Sequence, residues 1–269
     1  MVTQSLPKQG SSRFARYIGI DYSGAKYADS SLRGLRVYEA DREHDPRETL
    51  PLSGQTKYWN RRSLAEWLIK RLGEAPPTLV GIDHGFSFPL RYFETHHLLS
   101  GWPGFLDDFH RHWPTDAPRT SVEMIRQGVC GAGKARSGLA CWRRLCEERA
   151  CAKSVFHFDV PGSVAKSTHA GLPWLLRIRQ ELGGWVHFWP FDGWYVPQGC
   201  SVITEAYPAL WSRSFPREDR NPDQHDAYAV TAWMRETDLA GHLDTFFRPP
   251  LPPEHRERAA IEGWILGIL

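Results

Sequence analysis

The 269-residue chain carries 33 Lys and Arg against 31 Asp and Glu, a formal charge of +2, so no global basic field announces a polyanion and any such site must be a local patch. Hydrophobic residues at 41% and charged residues at 24% are the proportions of a globular protein with a sizeable core, which excludes a largely disordered chain. No apolar stretch approaches the ~20 residues that span a bilayer, which excludes a membrane-spanning helix.

Residues 1–12 are polar with Gly and Pro and read as a disordered tail, with one α/β domain expected over residues 13–269. Ile18 and Ile20 belong to a first strand, residues 32–38 to a second, and a third falls between residues 48 and 59, blurred by Pro51 and Gly54. Ser63-Leu-Ala-Glu66 has the pattern of a capping box, followed by Leu64, Leu68 and Leu72 at helical spacing and Gly73 as a stop. Pro76-Pro77 then leads into a strand over residues 79–83, giving the order βββαβ. Residues 84–158, rich in Trp, His, Pro and Arg, show no sustained period and read as an insertion, with a helix expected at 137–149. A helix starting at Pro173 carries Leu175, Ile178 and Leu182 inward and stops at Gly183-Gly184. Strands follow at 185–191 and 201–207, Asn221-Pro222 caps a helix running to about residue 236, and the apolar tail 261–269 docks on the core.

Four carboxylates fall where a two-metal site needs them. Asp21 ends the apolar run beginning at Arg16, Asp83 ends Leu79-Val-Gly-Ile-Asp83, Glu205 lies inside Ser201-Val-Ile-Thr-Glu205, and Asp226 lies in the first turns of the helix after Asn221. Buried strands that finish in a carboxylate deliver it to the sheet edge where α/β folds bind ligands. Hydrolysis of a phosphodiester needs charge stabilisation on the attacking and leaving oxygens, which two Mg²⁺ or Mn²⁺ ions about 3.5–4 Å apart supply, and such hard cations take oxygen ligands. Asp223, three residues before Asp226, projects from the same helical face. Each has an ordinary explanation: the helix dipole favours Asp223 and Asp226, and Asp21 and Asp83 suit turns. Glu205 resists one, since a carboxylate in mid-strand is costly to bury unless paired or metal-bound.

Gly128-Val-Cys-Gly-Ala-Gly-Lys134 follows P-loop spacing, but Ala135 replaces the Mg²⁺-binding hydroxyl and no buried strand precedes it. A flexible loop whose Lys134 and Arg136 touch a phosphate backbone is the better reading. Arg177 and Arg179 could form a second phosphate-holding edge, although a solvated charged face explains them as well. His84 and His225 adjoin proposed ligands and could serve as proton shuttle or outer-shell partner. The five cysteines, without a Cys-x-x-Cys pair, together with an N-terminus lacking a secretory leader, point to free thiols in the cytoplasm.

Ile18-Gly-Ile-Asp21-Tyr-Ser-Gly-Ala, Val80-Gly-Ile-Asp83, Gly171-Leu-Pro-Trp, Thr204-Glu-Ala-Tyr-Pro208, Asp226-Ala-Tyr-Ala and Glu262-Gly-Trp-Ile-Leu-Gly267, taken in order, resemble the DUF429 family of predicted nucleases with an RNase H-like fold. The resemblance implies a five-stranded mixed sheet flanked by helices with an acidic cluster at the strand ends, here with a large insertion after the fourth strand. It also implies metal ligands at Asp21, Asp83 and the Asp223-x-x-Asp226 helix; Glu66 is the nearest counterpart of the RNase H second carboxylate, though a capping box assigns it a structural job. The expected function is a Mg²⁺- or Mn²⁺-dependent nuclease acting on nucleic acid, with Asp21, Asp83, Glu205 and Asp226 catalytic and Asp223 assisting. An actin-like or sugar-kinase-like phosphotransferase and a non-catalytic nucleic-acid-binding relative are the alternatives, and the oligomeric state is left open.

Overall fold

The computed structural model describes residues 12–52, 56–74, 76–98 and 101–269. Its centre is strand β1 (Arg16–Asp21) in a six-stranded sheet with β2 (Arg36–Asp41), β3 (Arg47–Glu48), β4 (Thr78–Asp83), β5 (Val186–Trp189) and β6 (Ser201–Glu205), ordered β3-β2-β1-β4-β6-β5. The first three strands form the expected antiparallel meander, and β4, β6 and β5 continue the sheet in parallel. The sheet is one strand wider than the resemblance implied, because β6 enters between β4 and β5. All five residues of β6 are buried, as a strand with a neighbour on either side requires. The third strand shrinks to two residues, and part of the expected span, 53–55, lies outside the described residues, as does the expected tail through residue 11.

Period-2 alternation sorts the strands onto two cores. Ile18, Ile20, Val80, Ile82 and Ile203 face α1 (Arg61–Gly73) and, later in the chain, α6 (Ala165–Leu182). Tyr17, Leu79 and Val202 face the opposite way, toward α7 (Pro222–Leu239) and α8 (Leu243–Phe247). The insertion between β4 and α6 holds α2 (Leu90–Thr95), α3 (Trp102–His112), α4 (Val122–Gln127) and α5 (Leu145–Arg149). After α9 (Pro253–Glu262) the C-terminal tail docks as expected: Trp264, Ile265 and Leu266 are buried, and Ile265 bridges Glu205.

Three local expectations are corrected. α1 is capped by Asn60, whose side chain accepts from Ser63 N at 2.8 Å, so Ser63 is the third helical residue and Glu66 closes no capping box. The earlier start places the guanidinium of Arg61 inside the fold, donating to the carbonyls of Ser23 and Ala25 at 3.0 and 2.8 Å and fixing the turn after β1. α5 is only the last five residues of the helix expected at 137–149, since Arg144 is extended (φ −75°, ψ 154°). α6 begins eight residues before Pro173, which lies inside the helix. Pro173 cannot donate to the carbonyl four residues back, that of His169; the Thr115 hydroxyl donates to that oxygen instead, at 2.8 Å. The insertion thus supplies the bond the proline removes. Among the described residues no helix is long and apolar enough to cross a membrane, and the five cysteines form no disulfide.

Candidate metal centre

The parallel register sets Asp21 beside Asp83 at the carboxyl ends of β1 and β4, and Gly19 beside Gly81 one pleat earlier. Alternation puts all four on the α7 face, and the two glycines decide how near that helix comes. A Cβ on Gly19 would lie 2.5 Å from the Ala227 carbonyl oxygen and 2.8 Å from Thr231 N; one on Gly81 would lie 2.8 Å from Val230 Cγ1. Only bare backbone accommodates that contact. Spacing by four then aligns Asp223 with Ala227 and Thr231 over β1, and Asp226 with Val230 and Met234 over β4. The first turn of α7 is anchored by Asn221, which accepts from Gln224 N at 3.0 Å, and by Gln224 Nε2 donating to Glu48 at 2.7 Å.

Asp21, Asp83, Asp223 and Asp226 therefore meet at one partly exposed edge. Burial, followed by the charges of Asp83, Asp223 and Asp226, pushes the Asp21 carboxyl well above the usual range, against the pull of Arg36. Burial, then Asp226 and Glu205, does the same to Asp83. Asp226 is raised by burial, with Asp223 adding and His225 and Arg217 opposing. Among the described residues no salt bridge or hydrogen bond ends on any of these four carboxylates; Arg36, opposite Asp21 in register, is bound to Glu48 at 2.8 Å instead. Nor do any three His, Cys, Asp or Glu side chains among the described residues close into a ready-made cage. Oxygen donors with uncompensated charge are the donor set a hard divalent cation takes.

Glu205 has another occupation. Arg144 donates to its two oxygens at 2.7 and 2.6 Å and Phe86 N donates at 3.1 Å, so the paired-charge explanation is the one realised for this carboxylate, which ends β6 rather than lying in mid-strand. Glu147, also on Arg144, and Glu262, which accepts from Leu90 N and Leu145 N at 2.6 and 2.7 Å, complete a buried hub beside the aspartates. A small hollow of about 20 Å³, room for one water-sized guest, lies between the two acidic groups, lined by Asp83, Glu205, Arg144, Lys153 and Tyr207. A hollow of about 540 Å³ opens at the other end of β1 beside Arg16 and Arg71, away from this chemistry.

The histidines divide. His84 turns to the α6 side, away from the aspartates, its Nδ1–H donating to Gly85 O at 2.9 Å and its ring packed against Tyr22 and Phe86; burial pushes its pKa down to about 4, which favours the neutral ring. His225 stays beside Asp226, bonded through Nε2 to Ser212 O at 2.8 Å, with Nδ1 lacking a partner among the described residues.

Three of the expected phosphate contacts are committed elsewhere. Arg136 binds Asp108 at 2.7 and 3.1 Å, Arg179 binds Asp192 at 3.0 and 2.7 Å, and Arg177 lies 3.7 Å from Glu66, the last two on the side of the sheet opposite α7. Lys134 is exposed on a short 3-10 turn, residues Gly133–Arg136, that follows the helix α4, so the strand a P-loop requires is absent there. Sequence reasoning missed Arg144 and the paired glycines. A signal existed for the latter: each sits mid-strand two residues before its aspartate, where glycine marks close backbone approach. Comparison with protein-family models, with curated proteins and with solved structures gives no match to this chain.

Proposed function

We propose that the protein is a Mg²⁺- or Mn²⁺-dependent phosphodiesterase acting on nucleic acid, of RNase H-like type. The observation that carries the reading is the meeting of four carboxylates on the β1, β4 and α7 termini with no cationic partner among the described residues. Asp21, Asp83 and Asp226 are the principal ligands in this reading and Asp223 assists; Glu205, held by Arg144, is withdrawn from the set. Cations held there would stabilise charge on both the attacking and the leaving oxygen of a phosphodiester. This chain's own part is to hold the carboxylates on rigid strand ends and to place His225 beside Asp226. The actin-like alternative calls for a second copy of the sheet, and the described residues hold one.

The test is calorimetric titration of Mn²⁺ together with cleavage assays on single- and double-stranded DNA and RNA. Wild type is expected to bind Mn²⁺ and cut; Asp21→Asn and Asp226→Asn are expected to lose both while keeping their thermal transition. Wild-type protein that neither binds Mn²⁺ nor cuts any of the four substrates refutes the proposal.

A further inference from the structure

Beside the first turns of α6 the insertion encloses a second cavity, of about 270 Å³, walled by Trp113, Phe156 and Phe158. Two polar features mark it. His169 is fully buried in its lining; its Nδ1–H donates to Ala165 O at 2.9 Å, which leaves Nε2 a bare acceptor, and Nε2 has no partner among the described residues. A buried polar atom left unsatisfied needs an explanation, because its desolvation is uncompensated. Burial also keeps the ring neutral, its pKa pushed down to about 3, so acceptor is its standing role. At the exposed rim, Arg126 lies over the Phe158 ring but is bound by Glu123 and Asp159, whereas Lys134 enters no salt bridge among the described residues.

Aromatic walls, one inward acceptor and one cation at the mouth suit a planar heterocycle with an N–H edge and an attached anion. We propose that this cavity is a subsite for an unstacked nucleobase, its N–H edge on His169 Nε2, its face against Trp113 and Phe158, and its phosphate toward Lys134. Aromatic stacking with hydrogen bonding to exposed base edges is how single-stranded nucleic acid is held. The inference rests on the nucleic-acid part of the proposed function. The Thr168 hydroxyl, one residue before His169, accepts from Gly85 N at 2.8 Å, and Gly85 is two residues beyond Asp83, so the wall of the cavity is tied to the end of β4.

The experiment is calorimetric titration of metal-free protein with AMP and with the purine ribonucleoside monophosphate that lacks the 6-amino group. AMP is expected to bind one to one; the analogue, unable to donate to Nε2, at least tenfold more weakly; and Lys134→Gln, at an exposed site that spares the core, several-fold more weakly for both. Asp83→Asn is expected to bind AMP as wild type does. Absent AMP binding, equal affinity for AMP and the analogue, binding indifferent to Lys134→Gln, or binding lost in Asp83→Asn each overturns the subsite. AMP binding that follows the expected pattern in a protein that cuts no strand upholds the subsite and removes the metal-nuclease reading alone.

Discussion

Two acidic groups lie side by side at the carboxyl edge of this sheet and have opposite surroundings. Glu147, Glu205 and Glu262 are buried, and backbone N–H groups and the Arg144 or Arg258 guanidinium meet them. Asp21, Asp83, Asp223 and Asp226 are more exposed, yet no salt bridge or hydrogen bond among the described residues ends on them. Depth alone does not separate structural from functional charge here; the supply of partners does. A buried carboxylate without compensation destabilises a fold by several kcal/mol, so the hub must be satisfied. A cluster at a partly exposed edge can stay frustrated at smaller cost and keep its affinity for a cation.

The strongest way to break this contrast is Arg144→Met, which strands Glu205 and Glu147 as uncompensated buried charges. Denaturant unfolding is expected to show a loss of about 3–5 kcal/mol, and a loss below about 1 kcal/mol would mean that the hub is no keystone.

Acid provides the next test, through a buried group that is neutral rather than paired. His169 titrates near 3 in the fold and near 6.5 when unfolded. Its folded pKa is depressed, so below 6.5 the unfolded chain binds the proton first. Its share of stability is complete above pH 6.5 and is lost as pH falls toward the folded value, at about 1.4 kcal/mol per pH unit. Urea titrations at pH 6.5 and 5 should show about 2 kcal/mol from this group, a slope that His169→Phe removes; an identical slope in the variant would contradict it.

Gly19→Ala sharpens the comparison from the packing side. Its Cβ presses on α7 backbone, at an expected cost of about 1–3 kcal/mol, and by lifting Asp223 and Asp226 from Asp21 it should weaken Mn²⁺ binding with all four carboxylates still present. Unchanged Mn²⁺ affinity would show that the close approach does not set the site. The smallest effect is expected of Asp83→Asn, which relieves like-charge repulsion and should raise the melting temperature, the stability gained being the ~0.2–1 kcal/mol typical of partly exposed charge pairs. A fall in melting temperature would place a hidden partner on Asp83.

Much of the edge was legible in the sequence because its signals are local. Apolar alternation ending in Asp21 and Asp83 places carboxylates at strand ends, and Asn221-Pro222 starts the helix that carries Asp223 and Asp226. Contacts between distant segments were not legible. Glu205 and Arg144 are 61 residues apart, and nothing in Val-Ile-Thr-Glu announces an arginine rather than a cation as partner. Pro173 misled for the same reason, since the Thr115 hydroxyl that repairs its missing hydrogen bond comes from the insertion.

The sequence by itself determined which carboxylates reach the sheet edge, since side-chain direction in strands and helices follows from residue spacing alone. The tertiary structure decided which of them are neutralised, because charge compensation depends on what the rest of the chain brings within hydrogen-bonding reach. It assigned Glu205 to Arg144, left the four aspartates with no bonded partner among the described residues, and closed an aromatic cavity around His169 that no spacing rule foretold.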